Sequence, residues 1–368
     1  MLLWRERPRS ALVIKRLGLG LVHHCARACQ SLEARGVTPV VEPQTLAEMR
    51  EHAGYEGNAR TFDTDAEREA LHRVVDLVVC LGGDGTILHV STLLQGPVPP
   101  IVAFDLGSLG FLTAHDWKDL DADLDRVLEA GREEWVERSE SETESDEPAA
   151  SPASFEDEYN ACPVALSPSN FAGSGVQSEV GDGVMITLRM RLHVGIVRAG
   201  QSEPERELEV MNELVIDRGA SPSLTNIEVF VQGRRITRVQ ADGLMLSTPT
   251  GSTAYSLAAG GSIVHPSVQA ILMTPICPHT LSFRPVLLPD SAELRLSISP
   301  DVRADARASF DGRSTTELRP GDALVVRLSK HPIPTVNKID QSGDWFTALQ
   351  KCMQWNERLE QKGASSLI

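Results

Sequence analysis

Three short segments of this 368-residue chain carry residue types whose spacing could do chemistry. The sharpest is Gly82-Gly83-Asp84-Gly85-Thr86, which follows an apolar run and precedes the helical pattern Ile87 to Leu94. Glycines permit a sharp bend and let backbone N–H groups come close to phosphate or ribose oxygens. Asp84 puts a carboxylate inside that bend, where it could orient a hydroxyl and take its proton, or reach a divalent ion carried by a nucleotide. The pattern is neither a Walker A loop nor GxGxxG. The second segment, Asp242 to Ser256, is an apolar strand opening into small hydroxyls, glycines and Tyr255. Such a loop can offer donors and acceptors to a ribose or an amide, with Tyr255 as a flat wall. The plainer reading is a hydroxyl-rich turn that satisfies itself. The third is Asn212-Glu213, a pair able to read a base edge and a ribose diol, or else to sit in a surface turn.

The elements that must hold these segments change character along the chain. Leu12 to Ile14, Val37 to Val41, Val75 to Leu81 and Ile101 to Phe104 are apolar or β-branched runs. Helical stretches near Leu21 to Arg35 and Asp65 to Val74 lie between them. Buried parallel strands between helices predict an α/β domain with helices on both faces, and the Asp84 bend falls at a strand's carboxyl end, where ligands bind in such sheets. From Ile186 to Ile196 the period becomes two, with alternating apolar residues, and is read as one half-buried strand. Ile227 to Val239 reads as a hairpin, and Leu294 to Ile298 and Ala323 to Leu328 alternate likewise. The second domain is therefore predicted to be all-β, a β-sandwich of two packed sheets. A tail from Asp344 to Gln361 reads as one amphipathic helix packing back on the first domain.

Between these patterns, Ser139 to Glu147 is acidic and hydroxyl-rich, and Pro, Ala, Ser and Gly follow. The predicted boundaries are residues 1–138 for the α/β domain, 139–183 for a disordered insert, 184–330 for the β domain and 331–368 for the tail. The net charge of −16 excludes a broad nucleic-acid surface, which needs clustered Lys and Arg. Charges interrupt every apolar run, so no membrane span is expected. Met1 to Ser10 lacks an apolar signal core, and six scattered cysteines read as reduced thiols, so a cytoplasmic protein is expected. A metal site at His23, His24, Cys25 and Cys29 lacks a committed fourth partner motif and is disfavoured. His265 and His279 are read as structural.

Taken together, the segments resemble the NAD kinase family in its eukaryotic form. The ordered set is Leu12 to Gly18, the GGDGT bend, Gly107-Ser108-Leu109-Gly110-Phe111-Leu112, Asn212-Glu213 and Ala241 to Ser256, followed by Thr274 to His279, Ser282 to Pro285, Phe310-Asp311-Gly312-Arg313 and Asp344-Trp345-Phe346. The resemblance implies a Rossmann-like domain joined to a β-sandwich, with the site in the crevice between them. It implies Asp84 as proton acceptor within Gly82, Gly83, Gly85 and Thr86. Phe111 becomes an aromatic wall, and Asn212 and Glu213 contact the dinucleotide. Asp242, Thr253, Ala254, Tyr255, Ser256, Leu257 and Ala258 line its site. It further implies NAD and ATP as substrates, Mg²⁺ carried with the ATP, and a homo-oligomer, either dimer or tetramer. Asp84→Asn is expected to cut turnover with little loss of folding. Two alternatives are a lipid or sugar kinase sharing the GGDGT bend, although Ile87-Leu88-His89 rather than Asn-Glu follows it, and a non-catalytic NAD-binding regulator.

Overall fold

The computed structural model describes residues 1–107, 110–131, 164–166, 183–301 and 305–356. Its first sheet has seven strands. Thr38–Val40, Ser10–Lys15, Leu77–Leu81 and Ile101–Asp105 run parallel, in that spatial order. The continuous apolar runs are explained by burial of both faces. Ala11, Val13, Leu77 and Val79 enter one core cluster with helix Val22–Ala34. Leu12, Ile14, Val78 and Cys80 enter another with Ile87 and Val90 of helix Asp84–Leu93. Helix Asp65–Val74 has the bounds its sequence predicts, because Thr64 and Glu67 cap each other's backbone N–H groups. Helices Pro43–Ala53 and Leu120–Leu128 carry weaker sequence signals and were not among the expected elements.

The second unit is an eleven-stranded antiparallel sheet folded over a single core. Its fourteen-residue strand Arg234–Ser247 pairs with Thr225–Val231 through its first half. Through its second half it pairs with Glu213–Asp217 and Ala270–Pro278. One long strand thus carries the chain from one layer to the other. Thr225–Val231 and Leu294–Ile298 alternate buried and partly exposed side chains, as their period of two predicts. The Ile227–Val239 hairpin turns at Gln232 and Gly233, both at positive φ.

The expected single strand Ile186 to Ile196 divides in two. Ile186–Arg189 joins the edge of the first sheet, antiparallel to Ile333–Val336, which itself lies beside Ile101–Asp105. Leu192–Val197 belongs to the second sheet. The break comes at Arg191, whose fully buried side chain donates to the carbonyls of His331, Leu94 and Gly96 at 2.6, 2.8 and 2.6 Å. Ile186–Arg189, placed by sequence in the β domain, and Ile333–Val336, placed in the tail that returns to the first domain, thus both complete the first sheet. Within the proposed insert, Val164–Leu166 pairs antiparallel with Leu2–Trp4. The rest of residues 139–182, and with it the expectation of disorder, lies outside the described residues.

The C-terminal helix is Gln341–Met353, capped by Asp340, which accepts from Ser342 and Gly343 N–H groups. It starts three residues earlier than predicted and ends at Gln354 in a left-handed conformation. Trp345 and Ala348 cover Phe111 to Ala114 of the first unit, and Trp345 meets the His265 ring at 4.8 Å. Cys25 and Cys29 point into the first core rather than to solvent.

Candidate active site

Strand Leu77–Leu81 ends at Gly82, whose φ of 140° only glycine adopts readily. A Cβ there would also stand 2.6 Å from Thr86 Oγ1. Gly83 caps the next helix and Asp84 is its first residue, so the carboxylate lies at the positive end of the helix dipole. Asp84 Oδ2 accepts from the Phe111 N–H and Oδ1 from the Leu112 N–H, both at 3.0 Å. Gly110 makes that clasp possible, since a Cβ on it would meet Asp84 Oδ1 at 2.0 Å. The two glycine-containing segments thus form one unit, although Ser108 and Leu109 lie outside the described residues. Asp84 is more than a free base in a turn. It is also the fastening of the Phe111 loop.

Beside the bend opens a crevice of about 210 Å³ lined by Lys15, Arg16, Gly83, Gly85, Thr86, His89 and Arg313. Lys15 is buried and committed to Glu48 at 2.7 Å and to the Gly18 carbonyl at 2.9 Å. Its ion pair holds the Glu48 carboxyl below the usual range. Arg313 donates to the Gly85 carbonyl. The Arg16 backbone N–H donates to the Leu81 carbonyl at 2.9 Å, while its side chain makes no hydrogen bond or ion pair with a described residue. Thr86 Oγ1 is buried and likewise has no partner among the described residues. A helix N-terminus, glycine amides and two arginines with donor capacity are the chemistry of a phosphate site.

The opposite wall comes from the β unit. Asp311, at φ 49°, accepts from the N–H groups of Met211, Asn212 and Glu213 at 2.8, 2.7 and 3.2 Å. Met211 packs in one cluster with Ile87, Val90 and Leu112, which brings Asn212 and Glu213 up to the Asp84 helix. Two residues beyond Asp311, Arg313 reaches Gly85, so the Phe310 to Ser314 turn touches both walls. Glu213 is buried, and its Oε2 has no partner among the described residues. Burial, and after it the Asp311 charge, pushes its carboxyl up to about 7, while a hydrogen bond from the Tyr255 N–H acts the other way. Burial also raises the Asp311 carboxyl, against its three backbone donors.

The hydroxyl-rich loop behaves differently from expectation. Thr248 Oγ1 donates to the Met211 carbonyl, Ser252 Oγ to Pro249, and Thr253 Oγ1 to Thr250. Ser256 is fully buried and bonded to Thr274 Oγ1 at 3.1 Å. These hydroxyls satisfy the loop itself, so Thr253 and Ser256 shape the site rather than offer free side-chain donors. Gly251 lies against the Asn212 backbone, where a Cβ would stand 2.2 Å from the carbonyl oxygen. The loop leaves to a ligand the half-exposed ring of Tyr255 and the surfaces of Ala254, Leu257 and Ala258. Asp242 stands apart. It pairs with Arg218 at 2.8 Å, and lies five residues, roughly 16 Å of strand, before Ser247, the register partner of Glu213.

Four site residues had no assigned role in the sequence reading, or only a loose one. Arg16 and Arg313 sit inside quoted motifs, and a cation just past a parallel strand's carboxyl end was the available signal. Asp311 is visible as Asp-Gly in a turn, but its grip on residues 211–213 is a tertiary fact. Arg189 gave no signal. Its Nε donates to Thr335 Oγ1 at 3.1 Å, and burial lowers it to about 10 while the charges of Asp84 and Asp344 oppose that shift. No group of three His, Cys, Asp or Glu able to hold a metal occurs among the described residues.

Family models for the ATP-NAD kinase N-terminal domain and C-terminal domain match residues 11–132 and 211–338, and the chain belongs to this family. It is 44% identical over 363 residues to NAD kinase 2, chloroplastic, of Arabidopsis thaliana, covering 98% of this chain and 32% of that protein. It is 36% identical over 306 residues to the NAD(+) kinase of Saccharomyces cerevisiae, covering 80% of this chain and 48% of that one. The chain thus spans about a third to a half of the length of these two relatives. The crystal structure of yeast NADH kinase complexed with NADH superposes with a TM-score of 0.75 at 29% identity, over 97% of this chain and 90% of that one. An Archaeoglobus fulgidus NAD kinase in complex with ATP shares the fold, with a TM-score of 0.57 at 17% identity over 93% and 98% of the two chains.

Proposed function

We propose that the chain transfers the γ-phosphoryl group of ATP to the 2′-hydroxyl of the adenosine ribose of NAD, making NADP. The observation that carries this is Asp84, a carboxylate at the start of a helix whose first turn lines the basic crevice and whose Ile87 and Val90 pack in one core cluster with Met211, the residue before Asn212 and Glu213. In this reading Arg16, Arg313 and the bend amides hold the triphosphate, and Asp84 aligns the acceptor hydroxyl. The ribose oxygen forms its bond to the γ-phosphorus as the bond from that phosphorus to the β–γ bridging oxygen breaks. The hydroxyl proton passes late to the Asp84 side. Positioning and electrostatics carry most of such a transfer.

Both Asp84 oxygens already accept a backbone N–H, and no group of three metal-ligating side chains occurs among the described residues. That suits a Mg²⁺ ion that arrives on the triphosphate and is held chiefly by it, where it would neutralise phosphate charge. The test is direct. Purified chain is incubated with ATP, Mg²⁺ and NAD, and NADP is read with an NADP-specific dehydrogenase. No NADP above the level of an Asp84→Asn control would overturn the proposal.

A further inference from the structure

The basic crevice at the glycine bend has a neighbour. His89, bonded through Nε2 to Glu42 at 2.9 Å, lines that crevice and also a second cavity of about 360 Å³. The second cavity runs between helices Asp65–Val74 and Asp84–Leu93, and its walls include Arg68, Glu69, His72, Thr92 and Leu93. The two cavities share His89 as a wall and lie side by side along helix Asp84–Leu93, so a ligand that passes over His89 could occupy both as one groove.

Its two ends differ in chemistry. The bend end holds glycine amides, Arg16, Arg313 and the buried, unpartnered Thr86 hydroxyl. The far end has an apolar floor at Leu93 and Leu94, with the side chains of Arg68 and Glu69 making no hydrogen bond or ion pair to a described residue. Helix Asp84–Leu93 spans about 15 Å at 1.5 Å per residue, comparable with the reach of an extended nucleoside triphosphate. A molecule anionic at one end and flat, apolar and edge-polar at the other fits this groove.

We propose that the nucleoside of the phosphate donor lies between these two helices, with its base over Leu93 and Leu94 beside the Arg68 guanidinium. The Glu69 carboxylate then accepts from an exocyclic amino group. An aminopurine such as adenine satisfies it, whereas the keto oxygen of guanine at the same ring position faces it with like polarity. This assignment rests on the kinase reading for the identity of the donor, but its test does not need turnover.

Thr92 is exposed on the wall of the second cavity, so Thr92→Trp fills the far end without touching either core. Calorimetry on the full chain compares ATP with inorganic tripolyphosphate, which lacks a nucleoside. In the variant, ATP affinity falls at least tenfold and tripolyphosphate affinity moves by less than twofold. Unchanged ATP affinity, or parallel loss for both probes, overturns the assignment. Glu69→Gln, a milder change, lowers the ATP-over-GTP preference severalfold, and an unaltered preference removes Glu69 from base recognition. If the unmodified chain forms no NADP, the kinase reading falls while the two-probe comparison still decides the groove.

Discussion

The wall of the crevice built from the first sheet and the wall built from the second treat charge in opposite ways. Around the glycine bend, Lys15 is buried against Glu48, but Arg16 is left with side-chain donors to offer, and Arg313 reaches across from the second unit to spend one on Gly85. Around Asn212, two carboxylates are buried together, with backbone N–H groups as their main hydrogen-bond partners. An anion is welcome on the first wall, and a group that donates hydrogen bonds on the second. The contrast teaches where each half of a phosphoryl transfer belongs. Triphosphate goes to the bend and sugar hydroxyls go to the corner, with Asp84 at the seam.

The largest effect should come from that seam. Asp84→Asn lowers kcat by roughly 100-fold or more, the usual weight of a positioned acid–base group. Because both carboxylate oxygens hold backbone donors, the new amide must also face one N–H with its own NH₂. The expectation of little folding loss therefore gives way to a cost of about 1–3 kcal/mol. Denaturant melts of the variant check it, and near-normal turnover would remove Asp84 from the chemistry.

A tenfold effect is next. Arg16→Ala raises KM for ATP by about tenfold through loss of a charge-assisted hydrogen bond, while KM for NAD stays within twofold. Equal changes in both constants would erase the division of labour between the walls. Stability stays unchanged, because the Arg16 side chain has no described partner to lose and its backbone bond to Leu81 survives the substitution.

The third prediction concerns the acidic wall. The folded Glu213 carboxyl, at about 7, lies above its ordinary 4.5, so the folded state binds that proton more tightly. Its favourable contribution is complete below about 4.5 and is lost as pH rises through about 7. Glu213→Gln removes the titration. The melting temperature of the variant minus that of the parent should therefore climb between pH 5 and pH 8. A flat difference would mean that Glu213 is ionised throughout. The smallest effect serves as a control outside both walls: Thr64→Ala breaks the capping box and costs about 1 kcal/mol, with KM for NAD unmoved.

Much of this arrangement was legible in the residues, for physical reasons that also explain the rest. Runs such as Leu77 to Leu81 reveal two buried faces, and strands such as Leu294 to Ile298 reveal one, because burial writes its period directly into composition. Ile186 to Ile196 misled because alternation reports which face is buried and is silent on which sheet the strand joins. The buried Arg191 that divides it looks, in sequence, like one more outward-facing residue. At the site, GGDGT and Asn212-Glu213 announced themselves through local chemistry. The self-bonded hydroxyls of Thr248 to Ser256 did not, since a free hydroxyl and a spent one are the same letter. The grip of Asp311 on residues 211–213 spans about a hundred positions and belongs to tertiary structure alone.

The position of Ile333–Val336, interior to the first sheet, between Ile101–Asp105 and Ile186–Arg189, has a consequence for the life of the nascent chain. Once Ile101–Asp105 leaves the ribosome, His115–Asp116 can cover Phe104 and Asp105, but the Ile101 end of that edge must wait about 230 residues for Thr335. At ~5–20 residues per second that is tens of seconds with an unsatisfied, apolar hydrogen-bonding rim in solution. Premature termination ahead of Ile333 would leave that rim bare permanently, turning a missing strand into a seed for aggregation.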